Sequence, residues 1–360
     1  MANFNLVQIT PKLPPEMDGI GDYAFKLAEG LSEHHKILTH FLACAEDFKP
    51  APNIKNFSII KLPNHKPQAI LSVLPKNTDL VLLHYSEYMY EPKYGTPFWL
   101  VEALAAAKQQ QKFKLLVMFH ELPYFFLHKR LYLLPFQYFV ASRLAKIADI
   151  VVTNNSGSQA ALETFLNCSV KSIPVFSNIG EPNHLPSLVK RKRRLVVFGT
   201  PLRRGRIYQK RARAKLINIC RLLKIEEIID IGSPVSLKIP EIKGVPVVCM
   251  GRQSAQDVSS LLLNSLAGIA YSNDNSRLSK SGVFATYCAH GVVPVITHDK
   301  SSPADGLEVG KNFLFAGNQS QSIELESLQI IADNAYEWYQ NHTQAKNVEA
   351  FASQILGNSS

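Results

Sequence analysis

The sequence predicts an α/β protein of two facing Rossmann-like lobes, each a mainly parallel sheet flanked by helices, with a ligand cleft between them. Three observations predict it. Short β-branched runs alternate with helical patterns through the first half, an order that right-handed crossovers convert into a parallel sheet covered on both faces. The pattern then pauses between Phe176 and Arg194, where Asn178, Gly180, Pro182, Asn183 and Pro186 disfavour a regular core element, and restarts beyond it. Finally, 360 residues of which 46% are hydrophobic suit two domains of ordinary size.

The elements follow in order. Phe4–Ile9 is a strand, followed by a glycine-bearing turn and a helix from about Ile20 to Glu33. Ile37–Ala43 is the next strand. In Asp79–His84 the unbroken run Val81, Leu82, Leu83 marks a strand buried on both faces. Pro97 stands near the start of a helix reaching Gln111, where its missing N–H costs little. Lys114–Phe119 repeats the buried-strand signal, and a helix follows over Leu131–Lys146. After the strand Asp149–Thr153, Asn155 or Ser156 caps a helix rich in alanine, and Ser172–Val175 closes the first lobe.

In the second half Leu195–Phe198 is a strand followed by a basic loop and a helix over Ala212–Leu223. Ile228–Ile231, Val245–Val248, Leu266–Tyr271 and Val293–Thr297 are further strands, with a helix over Val283–His290. Ile323–Asn341 and Ala345–Leu356 are terminal helices. The division predicted is 1–180, 181–344 and a C-terminal helix in 345–360.

Composition narrows the function. No apolar run approaches the ~20 residues that span a bilayer, and Met1–Thr10 reads as a strand instead of a signal peptide. The five cysteines, Cys44, Cys168, Cys220, Cys249 and Cys288, lack ligand spacing, so buried thiols in the reducing cytoplasm are expected and no metal site is. The net charge of +10 is concentrated: Lys190–Lys215 holds twelve Lys or Arg and no acid. Such a field attracts phosphates or an anionic membrane. Nucleic-acid binding would rest on this run alone, and no specific nucleic acid is expected.

In open α/β sheets, ligands bind beyond the carboxyl ends of the strands, and polar residues recur there. His84 follows Leu83, His120 and Glu121 follow Phe119, Gly199 follows Phe198, and Ser272 follows Tyr271. Gly19-Ile20-Gly21-Asp22 lies between the first strand and first helix. These glycines serve either a tight turn or a ligand-facing loop, and the third glycine of a dinucleotide fingerprint is absent. Arg203, Arg204 and Arg206, with Lys210 and Arg211 beyond, offer guanidinium groups that can grip phosphate oxygens, whereas Arg191–Arg194 is expected to face solvent, a membrane or the acceptor. Lys280-Ser281-Gly282-Val283 starts a helix whose first amides suit a diphosphate, with Ser281 as its cap. His120 can hydrogen-bond a sugar or move a proton, and Asp22 is an acidic candidate. Glu121 points away from His120 if the backbone there is extended.

Together these segments resemble the nucleotide-sugar glycosyltransferases of the retaining group 1, or family 4, type, which have the two-lobed GT-B fold. Pro15–Ala24 is similar to the amino-terminal glycine loop, Phe119-His120-Glu121 to the segment with a sugar-contacting histidine, and Ser279–Gly291 to the segment that closes over the donor. The resemblance implies transfer of a sugar, with retention, from a nucleotide diphosphate sugar to a glycan, lipid or small hydroxyl acceptor, as in polysaccharide biosynthesis. It implies no cofactor and no bound metal. His120, Arg204 and Lys210 would carry catalytic roles. Gly19, Gly21, Arg204, Arg206, Lys210, Lys280, Ser281, Gly282 and Val283 would bind the donor, and Asp22, His84 and Glu121 would contact acceptor or sugar. The carboxyl-terminal helix would return to the first lobe. The scattered cysteines separately point to the cytoplasm, and the basic run to transient contact with an anionic inner membrane face. One departure stands out. The paired glutamates usual around the donor fall near Leu278 and Thr286, and neither is Glu. A catalytically inactive nucleotide- or glycan-binding protein of the same fold is the alternative.

Overall fold

The computed structural model describes residues 4–16, 18–49, 53–123, 131–235, 239–272, 275–297, 303–317 and 322–357. Its contacts divide the chain into two units, Met1–Pro174 with Gln344–Ser360, and Val175–Thr343.

The first unit runs β1 (Asn5–Thr10), α1 (Gly19–His35), β2 (Leu38–Ala43), β3 (Asn53–Ile54), β4 (Phe57–Lys61), α2 (Ala69–Val73), β5 (Leu80–Tyr85), α3 (Glu87–Tyr90), α4 (Phe98–Gln110), β6 (Lys114–Phe119), α5 (Leu134–Ile147), β7 (Ile150–Thr153), α6 (Ser156–Leu166) and β8 (Lys171–Ser172). The sheet order is β3-β4-β2-β1-β5-β6-β7-β8. Every pairing is parallel except β3 with β4. The apolar runs read as doubly buried strands are so: Leu80 to Tyr85 lies entirely in the interior. Val7, Ile9, Val81, Leu83, Val117 and Phe119 fill one side of the sheet with α4 and α5.

The second unit runs β9 (Lys192–Phe198), α7 (Pro201–Ile207), α8 (Lys210–Leu222), β10 (Glu227–Ile231), β11 (Glu241–Ile242), β12 (Val245–Gly251), α9 (Ala255–Leu263), β13 (Ser265–Ala270), α10 (Gly282–Ala289), β14 (Val293–Ile296), β15 (Leu314–Phe315) and α11 (Leu325–Gln340). Its order is β11-β12-β10-β9-β13-β14-β15, parallel apart from β11 with β12. The last helix, α12 (Gln344–Leu356), packs in the first unit. There Asn347 accepts a hydrogen bond from the Tyr23 hydroxyl at 2.8 Å and donates to the Pro174 carbonyl. Gly30 lets α1 approach: a Cβ there would stand 2.3 Å from Val348.

Several expectations change. The basic segment after β9 is a helix, because Pro201 at its first turn presets the helical φ and Thr200 precedes it in extended backbone. Asn53–Ile54, Phe57–Lys61 and the short helix Ala69–Val73 were not predicted; the strands are short and lie at the sheet edge, so their periodicity is brief. Ser172–Val175 shrinks to Lys171–Ser172. Cys44, Cys220 and Cys288 are buried, but Cys168 and Cys249 are exposed. Cys249 lies on β12, which has only the two-residue β11 on its outer side.

Each sheet reverses direction of growth at one place. In the first unit β1 lies between β2 and β5, and in the second β9 lies between β10 and β13. At the second, Gly268 of β13 is held against Tyr287, whose hydroxyl donates to the carbonyls of Val196 and Ile269, both at 3.2 Å. A Cβ at Gly268 would stand 2.5 Å from the Tyr287 ring. Gly268→Ala is therefore expected to lower stability by about 1–3 kcal/mol through overpacking, read as a reduced denaturant midpoint. An unchanged midpoint would show that the ring has room to move.

Candidate functional site

The second unit gathers its candidates at the carboxyl ends of β9 and β13, where ligands of open parallel sheets sit. A small pocket there is lined by Gly199, Arg203, Tyr271, Ser281 and Val283. Gly199 has φ +125° and faces Val283: a Cβ on it would lie 3.2 Å from that side chain. Ser281 accepts a hydrogen bond from the Phe284 amide at 3.2 Å and so caps α10. The cap leaves the amides of Gly282 and Val283 in the first turn, where helices have no internal acceptor for them. Lys280 precedes the cap and is half-buried.

The three arginines of α7 divide into different roles. Arg203 is exposed at the pocket, and the Arg206 guanidinium lies 5.4 Å from the centre of the Tyr271 ring, a cation–π distance. Arg204 is 1% exposed. It is paired with Asp230, donates through Nε to the Gly199 carbonyl at 3.0 Å, and donates to the Ser233 carbonyl. Tyr208 donates to the other Asp230 oxygen at 2.7 Å, and burial followed by Asp230 pushes the Tyr208 hydroxyl pKa up. This corrects the sequence expectation: Arg204 is a buried strut that positions the Gly199 turn, with its guanidinium already bound to a carboxylate.

Two residues of Arg191–Arg194 are corrected likewise, while Lys192 between them is exposed as expected. Arg191 is buried and donates to the carbonyls of Pro186 and His290, and burial lowers its pKa to about 10. Arg194 is buried against Glu227 at 2.6 Å. Neither faces solvent. Lys210 opens α8, but its side chain, like that of Arg211, lies outside the described residues. Leu278 and Thr286, at the positions where glutamates were sought, are both buried, and Thr286 donates to the Gly282 carbonyl at 2.7 Å. His290 ends α10 as a core histidine, bonded to the Thr286 carbonyl and the Ser259 hydroxyl.

The first unit brings together Gln8, His84 and His120 on the α1 side of three adjacent strands. His84 Nε2 is 2.8 Å from Gln8 Oε1, and His84 Nδ1 is 3.0 Å from His120 Nε2. Burial, then the neighbouring His120, holds the His84 pKa well below its usual value. His84 is therefore neutral at ordinary pH. With its single N–H on Gln8 Oε1, its Nδ1 accepts from His120 Nε2–H, which fixes the His120 ring. Tyr23 closes over both histidines edge-on, at ring-centre distances of 6.0 and 5.3 Å. Glu121 instead accepts from the Ser86 hydroxyl at 3.1 Å, so the adjacent pair His120 and Glu121 has different partners.

Around this chain, buried Gln8 Nε2, Thr10 Oγ1 and Asp18 Oδ2 have no hydrogen-bond partner among the described residues. Asp18 caps α1 through its other oxygen, 3.1 Å from the Ile20 amide. Gly21 meets a steric requirement, since a Cβ would fall 2.2 Å from the Lys12 carbonyl oxygen, whereas Gly19 is exposed with open space beside it. Asp22 is half-buried, and desolvation, then Asp18, lifts its pKa to about 7 against the pull of Lys26.

Sequence reasoning missed Tyr23, Gln8 and Tyr271 as site residues. It also missed Asp230, although a lone carboxylate inside the apolar run Ile228–Ile231 signals a buried cationic partner. Among the described residues no group of three or more His, Cys, Asp or Glu side chains is arranged to hold a metal ion.

No protein-family profile matches the chain, and no curated protein matches it in sequence. Solved structures do. The chain is similar to an α-glucosyltransferase in complex with UDP, at 8% identity, 99% coverage of this chain, 100% of that one and a TM-score of 0.63. It is similar to a glycosyltransferase from Rickettsia africae ESF-5 at 11% identity, full coverage of both chains and a TM-score of 0.64. The apo lipopolysaccharide outer core galactosyltransferase WaaB gives 12% identity, 99% and 100% coverage, and 0.58. The likeness is one of fold: two Rossmann-like units of the GT-B kind.

Two outcomes follow. Arg204→Ala leaves Asp230 buried and unpaired and is expected to cost about 3–5 kcal/mol of stability, whereas Arg203→Ala, on the surface, changes it by no more than about 0.5 kcal/mol. Equal melting temperatures for the two variants would contradict the division of roles. For Asp22, the native carboxyl binds a proton that the unfolded chain has lost between the ordinary aspartate value of 3.8 and about 7. Folding stability attributable to it therefore falls as pH rises through that window and is level above it. Asp22→Asn should gain roughly 2–4 kcal/mol at pH 8 and almost nothing at pH 4. A gain that is the same at both pH values would show an ordinary carboxylate.

Proposed function

We propose that the chain transfers a sugar, with retention at the anomeric carbon, from a nucleotide diphosphate sugar to a hydroxyl of a glycan, lipid or small molecule. The observation that carries this reading is the second-unit pocket, where Arg203 and the first turn of α10 meet at the carboxyl ends of β9 and β13. Guanidinium and unfilled helix amides are the groups that bind a diphosphate. In transfer, negative charge gathers on the leaving diphosphate, and Arg203, Arg206, Lys210 and the amides of Gly282 and Val283 would stabilise it, whereas the Ser281 amide is already bonded to the Leu278 carbonyl at 2.9 Å. Tyr271, beside Arg206, holds that guanidinium at the pocket rim. The fold supports this reading, because the α-glucosyltransferase it is similar to was seen with UDP.

In the first unit, His120 is the proposed sugar-contacting residue, held in orientation by His84 and Gln8. The unpartnered Gln8 Nε2, Thr10 Oγ1 and Asp18 Oδ2 suit a ligand rich in hydroxyls, since a buried polar atom without a partner costs about 1–3 kcal/mol. The five unpaired cysteines suit a reducing compartment, and the cytoplasm is the proposed location. The buried Leu278 and Thr286 favour a second reading, a binding protein of the same fold without turnover. There, nucleotide sugar would bind and no acceptor would be glycosylated.

The test is titration with UDP- and GDP-sugars, followed by transfer assays on a panel of acceptors. Arg203→Gln with Arg206→Gln is expected to weaken donor binding by about 10- to 100-fold while leaving the melting temperature unchanged. Unaltered binding by that variant, or no nucleotide sugar bound by the parent protein, would sink the proposal.

A further inference from the structure

The first unit carries a surface that its core does not use. On α5, Leu134, Gln137, Val140, Ala141, Leu144 and Ala145 face inward and complete the packing. The opposite stripe is Phe136, Phe139, Arg143 and Lys146, spaced at one helical turn, with Tyr132 in the 3-10 turn just before the helix. Tyr132 is 67% exposed, Phe136 54% and Phe139 55%. Phe98 at the start of α4 is 40% exposed and its ring centre lies 6.3 Å from that of Phe139, so the patch extends onto a second helix. Just before α4, Tyr94 is exposed beneath the Lys93 ammonium, 4.9 Å from its ring centre, and its carbonyl accepts from Gln137 of α5.

Isolated exposed apolar residues are ordinary, but a contiguous aromatic patch marks an interaction surface. Its charge identifies the partner. The sequence between Glu121 and Asp149 has no acidic residue and four Lys or Arg. Arg143 and Lys146 stand exposed on the stripe one turn and two turns beyond Phe139. Asp149, at the end of this stretch, is itself paired with Lys108 at 2.7 Å. On α4 the acidic residue is Glu102. Aromatic rings followed by cations along one helix face match the boundary of an anionic bilayer, where rings lie at headgroup depth and cations meet lipid phosphates. A second copy of the chain laid on α5 would find no carboxylate on that helix.

We propose that the exposed face of α5, with the start of α4, docks the protein peripherally on an anionic phospholipid bilayer. Among the described residues no helix is long and apolar enough to cross a membrane, which fits docking on the surface. This surface is distinct from the basic run Lys190–Lys215, where Arg191, Arg194 and Arg204 are buried.

The experiment is co-sedimentation of the intact protein with phosphatidylcholine vesicles, with and without phosphatidylglycerol. Binding to the anionic vesicles is expected to exceed binding to the neutral ones by at least about tenfold. Phe136→Ser with Phe139→Ser should reduce it by about tenfold or more, and Arg143→Glu with Lys146→Glu should remove the preference for anionic lipid. All four residues are exposed, and unchanged melting temperatures would confirm that the variants fold. Equal partition onto both vesicle types, or undiminished binding by the Phe136/Phe139 variant, overturns the proposal. So does a parent protein that self-associates without lipid and becomes monomeric in that variant, because the face would then belong to a second copy. None of these readouts depends on a nucleotide sugar.

Discussion

The second unit depends on one buried ion pair. Arg204 and Asp230 join α7 to the end of β10, and the same guanidinium reaches the carbonyls of Gly199 and Ser233. Gly232, with φ +138°, has room for this arrangement only as glycine, since a Cβ would stand 3.0 Å from the guanidinium carbon and 2.9 Å from the Gly199 oxygen. A charge so fully withdrawn from water is tolerable because every direction of the fork has an acceptor, and Tyr208 occupies the remaining carboxylate oxygen. The turn after β9 is consequently fixed before any ligand arrives. Arg203 and Arg206 on the same short helix inherit that rigidity and present their charge at one place.

The first unit solves a similar problem without charge. Its histidines, His84 near the end of β5 and His120 just beyond β6, sit under Tyr23, and the Tyr23 hydroxyl is held by Asn347 of α12. A helix from the far end of the chain thus fixes the cover over residues near its beginning. The neutral state of His84 is a product of this cover. Exclusion of water makes the charged ring costly, so hydrogen bonding to Gln8 and His120 is settled by tautomer instead of protonation.

Much of this fold was legible because parallel strands buried on both faces leave continuous apolar runs. Lys114–Phe119 was read at its observed boundaries, and Leu80–Tyr85 and Ser265–Ala270 were displaced by a single residue at each end. Short edge strands such as Phe57–Lys61 lack that signal. The placement of His84, His120 and Ser281 at strand and helix ends followed from topology alone. Side-chain allegiance did not. Arg203, Arg204 and Arg206 are indistinguishable in a basic run, and only the register that sets Asp230 of β10 opposite Val197 of β9 decides which arginine is consumed. Tyr23 was equally hidden, because its partner Asn347 is 324 residues away.

The two sheets share a topology, and their reversal points therefore offer equivalent places for a ligand. Their chemistry separates them. At β9 and β13 the surroundings are Arg203, Arg206 and a helix start, all of which favour negative charge. At β1 and β5 they are a neutral His84 bonded to His120, a glutamine, a threonine, and carboxyls whose pKa values are raised by burial. A phosphate placed there would face Asp18 and Asp22 across a poorly solvated space, a repulsion that worsens as Asp22 ionises near pH 7. A hydroxyl meets no such penalty, since it can donate to a carboxylate and accept from an amide in the same position. Equivalent positions in two similar folds are thus assigned opposite ligand chemistry by a few side chains: charge in the second unit, hydrogen-bonding capacity in the first.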